Sequence, residues 1–440
     1  LEYPKEEVRG YHSDEDLYVS GYFEMKIRKG ESIVFSGSTS EIKSSTLKRL
    51  FDKEVEARQP RDNFFHCLVN AAHQFHNRKE NDDRYILAGY PWFKCRVRDQ
   101  FIALPGLTLN IEEQDYFELV MKTAERGLRE FMNNEPLTVD IEGIEQPDVP
   151  LWGIWAIQQY AKEAGKDNCI KLYADLLYDL MNYIESGQHP NLSLETNGLL
   201  FTDGKNKPIT WMDGTIDDKP VNPRSGYIVE FNALWYNALK FVAWLFSETP
   251  KAEYAAHLEA IATTCKDSFV NTFLNNYGYL YDYVDGNMID WSVRPNMIMA
   301  AALDYSPLDQ VQKRNVIDIC TRELLTPKGL RSLSPKSGGY TPICVGDKEY
   351  RTRVYHQGTA WPWLGCFYLE ACLKLYKRTR LSFVERQLIG YEDEVVNHCL
   401  GTIPEFFDGN PPFNGRGAIS FAMNVGGVLR TLALLEKYKY

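Results

Sequence analysis

Apolar residues return every three or four positions from about residue 62 to residue 436, and this helical period limits the fold more than any other feature of the chain. It predicts twelve helices, near 62–77, 98–107, 113–133, 150–165, 168–187, 228–246, 250–274, 294–303, 308–325, 357–377, 381–399 and 416–436. Short turns join them in pairs, such as KEAGKDN between the fourth and fifth and KRTR between the tenth and eleventh. Between pairs lie long loops rich in Gly, Pro, Asp and aromatic residues, at 85–97, 188–227, 275–293, 327–356 and 400–415. Long loops in a compact chain are usually functional. Six helical hairpins with functional loops at one end describe a mainly α, (α/α)6 toroid. An open helical solenoid would need a fixed repeat period, and none is seen.

Residues 1–45 have a different rhythm. LYVSGYFEMKIRKGESIVFSGS alternates apolar and polar side chains around a Lys-Gly turn, the signature of a short β segment with a hairpin. Two or three strands are marginal alone. The segment is therefore expected to be a remnant or extension of an N-terminal β domain, with residues 46–440 forming the barrel. The opening LEYPKEEVRGYH has no start Met, apolar run or basic leader, which favours a trimmed cytoplasmic protein over a secreted one.

Charge and composition narrow the function. A net charge of −11 argues against a nucleic-acid partner, which needs Lys and Arg gathered on one face. The longest apolar run, 233–246, is too short to span a membrane and is broken by Asn237 and Lys240. Nine cysteines with no CxxC pair read as reduced core thiols, and eight histidines without ligand spacing predict no metal and no cofactor. A neutral polyhydroxyl substrate fits this balance. Aromatic residues make up 13% of the chain, which suits a sugar-lined cavity.

Two carboxylates stand among such rings and turn formers, Asp213 in ITWMDG and Glu405 in TIPEFFDGNPP. Hydrolysis of a glycosidic bond requires such a pair: one carboxyl protonates the leaving oxygen and the other activates water. Sugar faces stack on Trp and Tyr, while carboxylates and amides bind the hydroxyls. Flanking Trp211 and Met212 would lower the polarity around Asp213 and raise its pKa, as a general acid needs. Asp408 also lies in the second segment, but its FDG context favours a turn cap.

The segments AGYPWF (88–93) with RDQFIALPGL (98–107), TWMDG (210–214), NPRSGYIVEFNALWYNAL (222–239), DGNMIDWSVRPN (285–296), GLRSLSP (329–335), YHQGTAWPW (355–363) and PEFFDGNPP (404–412) occur in this order. Together they resemble the amylo-α-1,6-glucosidase domain of glycogen-debranching enzymes of the bacterial type, over roughly residues 60–435. The resemblance implies an (α/α)6 barrel that removes the single glucose left at an α-1,6 branch of glycogen or limit dextrin, with inversion. It makes Asp213 the general acid and Glu405 the general base.

The resemblance also suggests substrate contacts, each beside a plainer reading. Arg98 and Asp99 resemble a sugar-hydroxyl clamp, or form a salt bridge with Asp99 as helix cap. Asp148 belongs at the pocket, or caps the helix that follows. Glu230 and Asn232 near a helix start are expected to face the cavity. Arg294 binds sugar, or fixes the DG loop through backbone carbonyls. His356 and Gln357 hold sugar hydroxyls or hold their loop, Trp361 walls the subsite or packs the barrel mouth, and Trp211 is expected at the substrate. The chain departs from the family pattern at two places. CRVRD (95–99) puts Arg96 and Val97 where relatives carry Trp and Gly, and Met423 and Asn424 stand for Trp and Ser. These changes would reshape the pocket, leaving as alternatives another α-glucoside as substrate or a glycan-binding protein without turnover.

Overall fold

The computed structural model of the chain describes residues 1–439. Twelve helices build its body, each overlapping an expected span: α1 (Phe64–Phe75), α2 (Val97–Leu107), α3 (Gln114–Met132), α4 (Val149–Ala164), α5 (Lys166–Glu185), α6 (Val229–Phe246), α7 (Ala252–Phe273), α8 (Ile298–Ala302), α9 (Gln310–Glu323), α10 (Pro362–Tyr376), α11 (Leu381–Ile389) and α12 (Ala422–Lys439). The even-numbered helices pack into a closed ring, α2 on α4, α4 on α6, α6 on α8, α8 on α10, α10 on α12, and α12 back on α2. The odd-numbered helices form an outer layer, α1 on α12, α3 on α2, α5 on α4, α7 on α6, α9 on α10 and α11 on α12. This is the (α/α)6 toroid.

Sequence explains which helix goes where. Inner α6, VEFNALWYNALKFVAWLF, is apolar on nearly every face, and all of it except Lys240 and Trp244 is buried. Outer α3 buries one stripe, Phe117, Val120, Met121, Ala124 and Leu128, and turns its charges outward except Glu130, which is buried against Thr138. Starts and stops follow from caps and glycines. Asn63 accepts the His66 N–H to start α1, and Asp309 with Gln312 forms a capping box on α9. The eleventh expected helix breaks at Gly390, where any side chain would meet the Pro327 carbonyl oxygen at 2.5 Å; a separate short helix, Glu392–Asn397, follows.

The loops leading into the inner helices fold into two five-stranded antiparallel sheets. One runs Met288–Ile289, Tyr283–Asp285, Gly226–Ile228, Leu200–Thr202, Ser193–Leu194. The other runs Leu325–Thr326, Gly329–Arg331, Ala360–Trp361, Phe406–Phe407, Gly415–Arg416. Ala360 pairs with Phe407, so the Trp361 and Glu405 segments lie side by side.

The N-terminal β segment does not form. The chain turns at Lys29-Gly30, where Glu31 N–H donates to the Arg28 carbonyl, and the Phe23 and Phe35 rings come within 5.9 Å. No strand ladder joins the two arms, and the sole bridge nearby is Glu2 to Asp14. A hairpin needs a second layer to bury its apolar face. Here that face stays in solvent, with Tyr18 93% exposed. The first buried residue of the chain is Leu68. No helix among the described residues is long and apolar enough to cross a membrane.

Candidate active site

A small cavity at the N-terminal ends of the inner helices is lined by both carboxylates, Asp213 and Glu405, with Arg96, Arg98, Asp99 and Tyr355. Trp211, Trp361, Phe421 and Met423 supply its apolar wall. Three inner helices aim their first turns here: α2 brings Arg98 and Asp99, α10 follows Trp361, and α12 brings Met423.

Asp213 is carried on an irregular loop that is fixed from behind. The Trp211 indole N–H donates to Asn296 (2.7 Å), whose amide donates to Asp282 (2.7 Å). Asp282 accepts from Arg224 (2.7 Å), and Arg224 also binds Glu230. Glu230 is thus the far end of a buried chain of charges that steadies the Trp211 wall, and it does not face the cavity. Asn232 does not face it either: its amide brackets the backbone of Leu200, accepting from the N–H (2.7 Å) and donating to the carbonyl (3.1 Å). These two expectations fail for the same reason. Polar groups at the buried start of this helix must be satisfied by protein, and the loop residue Arg224 and the strand residue Leu200 supply the partners.

Glu405 is held more directly. It accepts hydrogen bonds from the Tyr355 hydroxyl and from the Ala418 backbone N–H (2.8 Å). Asn424 donates to the carbonyls of Pro404 (2.6 Å) and Glu405 (2.7 Å) and accepts from Trp363 N–H (3.0 Å). The departure at Asn424 therefore clamps the Glu405 segment, while Met423 is the one that lines the cavity. Asp408 is buried away from it, bound by Arg416 (2.6 Å) and capping the Cys344 N–H (3.0 Å).

Arg98 and Asp99 do not pair with each other. Arg98 makes a two-pronged bond to Asp148 (2.7 and 2.9 Å), buried on both sides, and Asp148 makes no side-chain cap on α4. Asp99 is not a cap but lies in the first turn of α2, where the helix dipole favours an anion. Its Oδ2 is buried without a hydrogen-bond partner. Arg294 follows the loop-fixing reading, donating to the carbonyls of Ser332 and His356 (both 3.0 Å) and to Gln357 (3.1 Å). Gln357 in turn donates to Asn222 (2.6 Å), so it braces the loop outside the cavity. His356 lies behind the wall, stacked on Trp361 (5.3 Å) and edge-on to Trp211 (4.9 Å), with both ring nitrogens unpartnered. Desolvation pulls its pKa down to about 3, which makes it neutral and no acid or base at neutral pH.

Four lining residues fall outside the sequence-derived site: Phe421, Met423, Tyr355 and Arg96. Tyr355 opens the YHQGTAWPW segment, where its neighbours drew the attention. Arg96, noted above only as a departure, is the cap-position residue of α2 and ion-pairs with Asp213, with Asp99 3.8 Å from its other arm. This pair governs the electrostatics. Desolvation would push Asp213 up, but the Arg96 guanidinium, with Arg98 behind it, outweighs this and holds Asp213 below its ordinary value. Desolvation, helped by the charges of Asp213 and Asp99, pushes Glu405 up to about 8 against the pull of Ala418 N–H and Arg96. With Arg96 in place a proton shared by the two carboxyls favours Glu405 over Asp213. The flanking Trp211 and Met212 do not raise Asp213, because a cation at contact distance overrides a less polar neighbourhood. Among the described residues no cluster of His, Cys, Asp or Glu is arranged to hold a metal ion.

Residues 69–430 match the family described as amylo-alpha-1,6-glucosidase. No curated protein gives a significant sequence match. Among solved structures, an uncharacterized conserved protein from Thermus thermophilus superposes with a TM-score of 0.59 at 12% identity, covering 85% of this chain and 100% of its own. A GH63 mannosylglycerate hydrolase from the same organism, in complex with glucose, gives 0.58 at 12% identity, with the same coverage of 85% and 100%. At that identity the two structures speak for the fold alone. The sequence match, extending over most of the 440 residues, speaks for more: the chain belongs to the amylo-alpha-1,6-glucosidase family and is a glycoside hydrolase of that type.

Proposed function

We propose that this protein is an inverting glycoside hydrolase that removes single α-1,6-linked glucose units at branch points of glycogen or limit dextrin. Asp213 is the general acid and Glu405 the general base. The observation that carries this reading is the meeting of these two carboxyls, from segments far apart in sequence, in one cavity walled by Trp211 and Trp361. In the reaction one carboxyl protonates the departing glycosidic oxygen while the other removes a proton from water on the opposite face of the sugar. Tyr355 and Ala418 N–H steady the Glu405 carboxylate as it takes that role, and the Arg98–Asp148 pair and Asp99 offer groups for the sugar hydroxyls. The nine unpaired cysteines support a reducing, cytoplasmic setting.

Arg96 supports a second reading, in which the same pair cleaves a different glycoside. One solved structure of this fold is named for hydrolysis of mannosylglycerate, a glycoside of a carboxylic acid. An arginine in the cavity is a group that pairs with such a carboxylate. One experiment separates the readings: proton NMR of the sugar released from a 6-O-α-glucosyl maltooligosaccharide and, in parallel, from an α-glucoside of glycerate. Branch-point cleavage predicts β-glucose as the first anomer from the former, reduced at least about a hundredfold in Asp213→Asn and Glu405→Gln. Release only from the latter would replace the branch-point substrate, and initial α-glucose would overturn inversion.

A further inference from the structure

The cavity as it stands has a volume of about 20 Å³, room for roughly one water, whereas sugar-sized ligand pockets occupy on the order of 300 Å³ or more. A glucose ring therefore enters only if a lining side chain moves. Most of the lining is fixed: Trp211 is tied to Asn296, Arg98 to Asp148, and Trp361 to Thr359 (3.0 Å). Arg96 is the exception. Its backbone lies at the α2 cap, and its partly exposed guanidinium reaches across the cavity to Asp213, with the face of Phe93 beside it (5.6 Å). It also has a place to go, because the buried Asp99 Oδ2 lies 3.8 Å from its other arm and accepts no hydrogen bond.

We propose that Arg96 is a positioning and specificity-determining side chain of this enzyme: it plugs the innermost subsite by binding Asp213, and an entering sugar displaces it onto Asp99. The inference rests on the acid and base roles given above. In those roles Asp213 has to carry a proton, which it cannot hold while it pairs with a guanidinium. Displacement keeps Arg96 charged and paired, and the proton on Glu405 passes to Asp213, leaving Glu405 ionised as the base. The pair keeps one proton throughout, Arg96 exchanges one carboxylate for another, and the ionised Glu405 keeps the hydrogen bonds of the Tyr355 hydroxyl and the Ala418 N–H. The groups facing this exchange are Arg98, already neutralised by Asp148, the neutral His356, and the Tyr355 hydroxyl on Glu405. A substrate must thus compete with an ion pair for its own subsite, which lowers apparent affinity by the fraction of molecules with Arg96 displaced.

The test compares the unmodified protein with Arg96→Met and Arg96→Lys by calorimetric binding of glucose, and by the pH profile of kcat/KM on the cleaved glucoside. Arg96→Met should bind glucose about tenfold more tightly, and Arg96→Lys should fall between, because loss of the plug frees the subsite. A residue with a merely structural role would lose affinity on substitution, so a gain is the diagnostic sign. The acid limb of the Arg96→Met profile should also move up by about one to three pH units as Asp213 loses its cation, while Arg96→Lys should stay near the unmodified protein. Glucose binding by Arg96→Met that is equal, weaker or absent overturns the proposal, as does an unmoved acid limb. The branch-point reading fails on a different result, the absence of glucose from the branched oligosaccharide with the unmodified protein, and the binding comparison stands whichever way that falls.

Discussion

Glu405 shows how a single side chain in this cavity trades stability for chemistry. Its carboxyl is raised to about 8 from an ordinary value of 4.5, chiefly by desolvation. The unfolded chain releases this proton near pH 4.5, whereas the folded chain keeps it to about pH 8. Between those values the folded state binds more protons, so this residue's contribution to stability falls as pH rises through the window and is fully unfavourable above it. Glu405→Gln cannot ionise and should escape the penalty. Its amide can accept from Ala418 N–H and donate to the Tyr355 oxygen, so the pocket tolerates it. We expect Glu405→Gln to melt roughly 2–4 °C above the unmodified protein at pH 8, with the gain fading toward pH 4.5, as followed by differential scanning calorimetry. A variant that melts lower at pH 8 would show that Glu405 is stabilised as the carboxylate.

At the scale of elements, the closest approach in the ring is between α2 and α12. A Cβ on Gly106 would overlap the backbone of Gly426, and one on Gly426 would come within 2.6 Å of the Ala103 carbonyl oxygen. Only glycine fits where two helix backbones touch, and this contact seats Arg98, Asp99 and Met423 on one cavity. Gly106→Ala should cost about 3 kcal/mol, read as a lower urea midpoint, and should weaken glucose binding with it. Gly338→Ala, in a loop with open space around the added Cβ and no left-handed backbone angle, is a control for the packing term. The period of the helices was plain in the sequence because twelve segments carry it. Contacts between them were not. Glu230 and Asn232 looked like cavity residues from their place at the start of α6, but burial of that helix from all sides turns them onto Arg224 and Leu200. The carboxylate pair could be picked out because aromatic and turn residues mark both segments. Arg96 could not be assigned a partner, since Asp213 lies more than a hundred residues away and nothing local encodes the ion pair.

The whole molecule divides by burial, not by the rhythm of its sequence. Strand alternation in residues 17–36 was legible, yet alternation fixes only which face is apolar and not what covers it. In this chain nothing does: Tyr22 and Phe23 are 87% and 86% exposed, and the helix Leu47–Glu56 also buries no residue. The closed ring, by contrast, draws on every inner helix from α2 to α12, so its stability should not depend on the segment ahead of it. Chymotrypsin should therefore cut first within residues 17–36, where aromatic side chains lie in solvent on a backbone without ladder bonds. The product that retains α1 to α12 should melt within about 1 °C of the intact chain and keep its glucose affinity. Mass spectrometry of a brief digest locates the cut, and calorimetry of the purified product reads the rest. A first cut in the loop that carries Asp213, or a marked drop in melting temperature after the N-terminal cut, would mean that the exposed segment braces the barrel and that the boundary lies earlier than α1.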